Sequence, residues 1–422
     1  MTERIPGEAG AEPEEHGRGS LIRQREFRAM WAAFAQSVLG DQLARVALSL
    51  LVFERTESAG WTAATYALTS LPALLSGVLL TGLADRFPRR SVMIGCDLVR
   101  AVLVGLMALP SMPLPLLAGL LVLAQLAEAP FGASQGALMP AVLGERLYER
   151  GQRAIMITHQ TGQLIGFALG GVIVVWLGSH LALGLNALTF LISATLIRLG
   201  VKSRPLDKEA GAAPKRMHTQ VGKAAALIWS DPRLRSLVAL GWLAGFIVLP
   251  EGLAAPFAEE AGAGAASVGL LLAAHPAGMV LGAALLGRPG FDAERRRRLL
   301  GPLAVGANLP LVVYWAGPGV GLALLVLLVS GICSAYQVTA GATFVLLTPP
   351  DQRGQTLGLA RSGLTAMQGI GVAGGGLVAE LTDSSARTIG IAGLVGTLCA
   401  VLVAVSWSRA RGTSAGTIPL SA

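Results

Sequence analysis

The chain has 422 residues, of which 53% are hydrophobic and 14% charged, with a formal net charge of +8 and a mean hydropathy of +0.61. Soluble domains carry about a quarter charged residues, so this composition excludes an ordinary soluble domain and points to a bilayer. A spanning helix needs about 20 mostly apolar residues, and a chain of this length accommodates roughly a dozen of them.

Residues 1–26 are polar, with Glu3, Glu8, Glu12, Glu14 and Glu15, and lack the apolar stretch and cleavage site of a signal peptide. They are expected to form a disordered cytoplasmic tail. Twelve apolar runs follow, near 29–52, 61–83, 92–110, 114–138, 154–177, 181–200, 236–256, 266–287, 299–316, 319–346, 355–379 and 388–408. Cys96, Cys333 and Cys399 all lie within runs and read as small buried hydrophobes, not as a disulfide or metal set.

The connections alternate in charge. The tails and the connections after even-numbered runs, with their edges, hold 28 of the 33 Lys and Arg; those after odd-numbered runs hold only Arg55 and Arg387. Basic residues concentrate on the cytoplasmic side, so both termini are expected there. A nucleic-acid binder would gather its cations on one folded face; here they alternate with spans, and nucleic acid is excluded as a partner. The longest internal polar stretch, 201–229, splits the chain. The expected layout is a tail over 1–26, a six-helix bundle over 27–200, a cytoplasmic linker over 201–232, a second six-helix bundle over 233–408 and a tail over 409–422. A weak repeat supports the split: Asp85-Arg86 matches Gly287-Arg288 at a spacing of 202, and Gly170-Gly171 matches Gly374-Gly375 at 204.

Between runs 2 and 3 stands Thr81-Gly82-Leu83-Ala84-Asp85-Arg86-Phe87-Pro88-Arg89-Arg90. This stretch resembles the cytoplasmic loop between helices 2 and 3 of the major facilitator superfamily, Gly-x-Leu-Ala-Asp-Arg-x-Gly-Arg-Arg. Leu83, Ala84, Asp85, Arg86, Arg89 and Arg90 match, while Thr81 and Pro88 replace the two glycines. The resemblance implies an all-α membrane protein with twelve transmembrane helices in two pseudo-symmetric six-helix bundles. It also implies that Asp85, Arg86, Arg89 and Arg90 form a gating loop, with Asp85 meeting residues 354–356 when the protein is open to the outside. Run 5 carries Gly162, Gly166, Gly170 and Gly171. Glycines at four-residue spacing let another helix approach closely. The pattern is similar to the helix 5 signature of drug/proton antiporters, with Phe167 in place of its proline. The opening Glu26-Phe27-Arg28-Ala29-Met30-Trp31 and the pair Gly40-Asp41 resemble the branch of enterobactin exporters and macrolide-efflux proteins.

Asp41 lies about 20 Å into its helix. A charge at that depth is costly unless paired or wet, so Asp41 is a candidate for proton coupling, with an Asp41–Arg45 pair at i,i+4 as the alternative. Glu128 is the second deep acid. Antiporters of the superfamily often carry arginine at the matching place, so an arginine-assisted proton step does not transfer; Glu128 is a candidate for protonation, for cation binding or for pairing with an arginine. Asp97 and Arg100, three apart, read as a self-pair or as a link to the 82–90 loop. Arg361 lies about 10 Å into run 11, facing a cavity or snorkelling to the surface, and Glu251 reads as a rim charge.

No phosphate-binding loop and no metal-ligand cluster occurs in the sequence. The chain is therefore read as a secondary active transporter of the cell membrane, not an enzyme, with no cofactor. It is expected to be a monomer exporting a small amphipathic drug, antibiotic or siderophore against protons by alternating access. A metabolite importer or a lipid flippase on the same fold is the alternative.

Overall fold

The computed structural model describes residues 21, 23–72, 76, 87–204, 217–288, 290, 292–349 and 352–412. Its regular structure is helix throughout, with no strand among the described residues. The main helical elements among the described residues are α1 (Arg25–Thr56), α2 (Ala59–Leu68), α3 (Arg89–Met107), α4 (Leu114–Gly144), α5 (145–177), α6 (179–200), α7 (Pro232–Gly252), α8 (Ala265–Leu286), α9 (Ala293–Ala316), α10 (Val320–Leu347), α11 (Arg353–Thr382) and α12 (Ser385–Gly412). A linker helix, Met217–Ser230, precedes α7.

Eight helices among the described residues are long and apolar enough to cross a membrane. One of them, Arg150–Gly200, runs for 51 residues, about 77 Å at 1.5 Å per residue and far more than a bilayer. It folds back at Gly178, whose φ of 78° lies in the left-handed region that glycine adopts readily. Helices α1 and α3 fall outside the eight because Asp41, Arg45, Asp97 and Arg100 sit within them. The architecture is thus the expected all-α membrane fold.

Several spans are less regular than their apolar runs suggest. Helix α7 is broken near Leu243, Val248 and Leu253 and continues to Glu260. Pro250 and Pro256 each remove a backbone donor there. Helix α9 tightens into a 3₁₀ turn over Leu309–Ala316, with Pro310 in its first turn. Helix α8, by contrast, runs unbroken past His275-Pro276.

Within the amino half, α1 lies along α5. A Cβ on Gly162, Gly166 or Gly170 would fall 2.9 Å from Val38, 2.8 Å from Gln42 and 3.0 Å from Val46, so these glycines set how closely the two helices approach. Glu26 accepts from Arg204 at 2.7 Å and ties the chain after α6 to the start of α1. In the carboxyl half α8 crosses α10 at Gly278 and Gly331, where added Cβ atoms would be 2.9 Å from each other's Cα. Tyr336 donates to the Leu240 carbonyl at 2.7 Å, and the Trp407 indole donates to Arg297 at 3.0 Å.

The two halves meet at the end opposite the termini. Gly171 of α5 touches Gly269 of α8, where a Cβ on either would come within 2.8 Å of the other's backbone. Gly376 of α11 rests on Ala63 and Gly60 of α2. Glu380 accepts from Ser58 and from the Gly60 N–H at 2.8 Å. The last stretch of α1, Val46 to Val52, is buried at every residue, the mark of a helix enclosed on all sides. This end of the molecule is sealed.

The seal depends on backbone-to-backbone approach. Gly269→Val is expected to destabilise this conformation by about 1–3 kcal/mol through overpacking, lowering the thermal unfolding midpoint in detergent. Gly184→Ala, where an added Cβ meets nothing within 4 Å, is expected to leave it unchanged or raise it slightly.

Candidate functional site

A cavity of about 150 Å³ penetrates the amino half, lined by Asp41, Arg45, Arg100, Gln125, Glu128 and Phe190 among others. Helix α1 supplies Asp41 and Arg45 one turn apart on the same face. Arg100 reaches in from α3 and donates to both Asp41 carboxylate oxygens, at 3.1 and 3.2 Å. Its guanidinium also lies 4.1 Å from the centre of the Phe190 ring, a cation–π contact that suits a partly desolvated arginine. Arg100 is enclosed, at 8% side-chain exposure, whereas Asp41 is 30% exposed and faces the cavity. The Asp41–Arg45 pair considered for the sequence is therefore not the one that forms: geometry across two helices wins over spacing along one. Arg45 lies instead in the combined field of Tyr66, Glu128, Asp41 and Glu251.

Glu128 sits at the restart of helix after Ala127 and is exposed on the cavity side. No ion pair to it occurs within 4 Å among the described residues. Asp97 departs most from expectation. It is fully buried, and neither of its oxygens has a hydrogen-bond partner that meets geometric limits. Arg100, three residues on, has turned to Asp41. Beside Asp97 stands Ser193 of α6, whose hydroxyl also lacks a partner within those limits.

A second cavity, of about 180 Å³, lies between the halves, with Arg45, Tyr66, Gln163, Glu251, His275 and Gln337 in its wall. Arg45 thus belongs to both cavities. Glu251 is buried, not a rim charge, and accepts a hydrogen bond from the Tyr66 hydroxyl across the two halves. His275 is buried and pairs with the Ser334 hydroxyl at 3.1 Å. Sequence spacing alone shows neither the Tyr66–Glu251 contact nor the isolation of Asp97. The signal available was the acid in Pro250-Glu251-Gly252, flanked by helix breakers.

The remaining expected site residues fall elsewhere. Arg361 is exposed on α11 and lines neither cavity. Arg89 donates to the Ala137 carbonyl at 2.7 Å, and Arg90 donates to the Arg198 carbonyl, so both bind the start of α3 to its own half. Asp85 and Arg86 lie outside the described residues. Gly162, Gly166 and Gly170 face α1, while Gly171 faces α8 of the other half.

Removing Arg100 strands Asp41 and uncovers Phe190, whereas removing the Asp41 charge strands an arginine still held by its ring. Breaking a buried pair costs about 3–5 kcal/mol, less here because Asp41 is wet. Arg100→Ala is expected to lower stability by about 2 kcal/mol and by more than Asp41→Asn, read from paired unfolding curves of the purified protein.

The sequence profile of the Major Facilitator Superfamily matches residues 30–312. The enterobactin exporter EntS of Salmonella choleraesuis (strain SC-B67) is 28% identical over 389 residues, 87% of this chain and 89% of that protein. YkuC of Bacillus subtilis (strain 168), an uncharacterized MFS-type transporter, is 24% identical over 181 residues, a match spanning 42% of each chain. Among solved structures, a bacterial homolog of the human lysosomal transporter Spinster in an inward-facing and occupied conformation superimposes with a TM-score of 0.73 at 14% identity. That match covers 93% of this chain and 97% of that one. The nucleoside transporter NupG superimposes with a TM-score of 0.71 at 15% identity over 92% and 99%. With a family match across two thirds of its length and the helical bundle to go with it, this chain belongs to the Major Facilitator Superfamily.

Proposed function

We propose that the protein is a proton-driven exporter of a small amphipathic molecule, working by alternating access. The observation that carries this reading is the acid-lined cavity of the amino half, in which exposed Glu128 and the Asp41–Arg100 pair face a space adjoining a sealed interface between the halves. The similarity to an exporter over most of both chains supports the outward direction. The basic connections put the termini in the cytoplasm, so the sealed end is the outer one and this conformation is inward-facing.

In this cycle substrate enters from the cytoplasm and binds near Glu128, whose carboxylate favours a cationic group. Asp41 is the coupling acid. Protonation from outside discharges it and releases Arg100, which alters the relative stability of the two conformations. A coupling ion drives such a change only by binding the two states differently. The driving force is about 2.3 kcal/mol per charge per 100 mV. Outward opening requires the contacts of Tyr66 with Glu251 and of Glu380 with Ser58 and Gly60 to break. Among the described residues these are the polar bridges named here between the halves, and they act as the outer latch.

Efflux in everted vesicles, with and without collapse of the proton gradient, tests the reading. A panel of amphipathic dyes and catecholate siderophores serves as probe. Asp41→Asn is expected to abolish gradient-driven efflux while sparing substrate-for-substrate exchange, and Glu128→Gln to weaken binding itself. Full proton-driven efflux in both variants would overturn the carboxylate mechanism; uptake in place of efflux would overturn the direction. Topology is tested separately with single cysteines in a background lacking Cys96, Cys333 and Cys399. In intact cells an impermeant thiol reagent is expected to label position 387 and not position 203. The latch makes a further prediction: Tyr66→Phe removes the bridge to Glu251 and is expected to raise several-fold the labelling of a cysteine at position 63, buried against Gly376 in the closed seal.

A further inference from the structure

Asp97 has no part in the cycle as described, yet among the described residues it is the most enclosed acid of the amino half, at 0% exposure with both oxygens unpartnered. A bare carboxylate in such a place is too costly to persist; the group pairs or takes a proton. Among the described residues the charged or titratable groups within its electrostatic reach are Arg100 and Cys96 on its own helix and Asp41 on α1, and α6 contributes the neutral Ser193. Of these only Arg100 could neutralise it, and Arg100 is engaged by Asp41 at 3.1 Å. One guanidinium therefore serves two carboxylates.

We infer that Asp97 carries a proton in this conformation and that Asp41 and Asp97 alternate as partner of Arg100 during transport. The inference rests on the proton-coupled reading above. Arg100 and Asp97 are three residues apart on one helix, where side chains are neighbours, so a rotation of the arginine side chain suffices to change partner. The site holds two carboxylates, one guanidinium and one proton, and stays neutral in either arrangement. When Asp41 takes a proton, or a cationic substrate, from its wet side, Arg100 turns to Asp97. The Asp97 O–H bond then breaks and its proton leaves to water in the cavity. When Asp41 is ionised again, Arg100 returns and Asp97 takes up a proton from the same water. Asp97 is thus a second proton carrier placed behind the cavity wall, coupled to the first by a shared cation.

Infrared spectroscopy of the purified full-length protein in liposomes tests this without transport. A carboxylic acid C=O band that shifts in deuterated water is expected in the parent protein and is expected to be lost in Asp97→Asn. Asp41→Asn is also expected to lose the Asp97 band, because the freed arginine turns to it. Ser193→Ala is expected to shift the band without removing it, and serves if Asp97→Asn fails to accumulate. In transport, Asp97→Asn is expected to reduce gradient-driven flux at least tenfold while leaving exchange intact. An unchanged spectrum in Asp97→Asn overturns the proton on Asp97. An Asp97 band that survives in Asp41→Asn and disappears in the double variant overturns the shared arginine. Full gradient-driven flux in a folded Asp97→Asn variant overturns its part in coupling. Absence of gradient dependence in the parent protein would instead sink the exporter reading and leave the spectroscopic result standing.

Discussion

Charge is expensive inside a bilayer, and the amino half is organised around that cost. Asp41, Asp97 and Glu128 are three acids on three helices, and the cations placed among them are Arg45 and Arg100. An ionised side chain there needs a partner or water. Asp41 has a partner and is partly exposed, Glu128 is exposed, and Asp97 has neither a partner nor exposure. This imbalance accords with Arg100 leaning on the Phe190 ring and with Asp41 and Glu128 lining one cavity. Stability alone would favour apolar replacements, since a buried ion pair rarely outperforms well-packed hydrophobic residues. Retained charge of this kind suits a protein with two states to choose between.

Arg45 connects this set to the interface. Its position in both cavity walls means that a change of charge at Asp41 or Glu128 is felt electrostatically at Tyr66 and Glu251. The Tyr66–Glu251 bridge and the acid-lined cavity are therefore parts of one electrostatic network that crosses from one bundle to the other. Such a link is a physical route for coupling, because the same arginine acts on contacts that join the two halves.

Much of this was legible in the residues. The apolar runs located the helices, because a twenty-residue apolar stretch has few other uses, and the glycine spacing in 162–170 identified the face of α5 that meets another helix. The depth of Asp41 and Glu128 marked them as facing something other than lipid. Partner choice was not legible. Both Asp41–Arg45 and Asp97–Arg100 have helical spacing, yet the bond that forms joins Asp41 to Arg100, 59 residues apart. Local spacing offers pairs; the packing that brings Arg100 of α3 between Asp41 of α1 and Phe190 of α6 selects among them. Tyr66 and Glu251 were invisible as a pair for the same reason. The breaks in α7 and the 3₁₀ turn of α9 were signalled by Pro250, Pro256 and Pro310, but an apolar run conceals where a proline interrupts it.

The Gly171–Gly269 contact sets how the halves can move. Side chains that interlock, knob into hole, must disengage before two helices separate, and each disengagement adds a barrier. Two bare backbones touching have nothing to disengage. They hold by dispersion and shape alone, which vanish within an ångström or two of separation and leave no stranded polar group behind. This contact therefore closes tightly at short range but exerts no pull at longer range, like a smooth bearing. The resistance to opening is then left to the apolar side chains that the halves bury together and to the few polar bridges around them, where protons and ions can act.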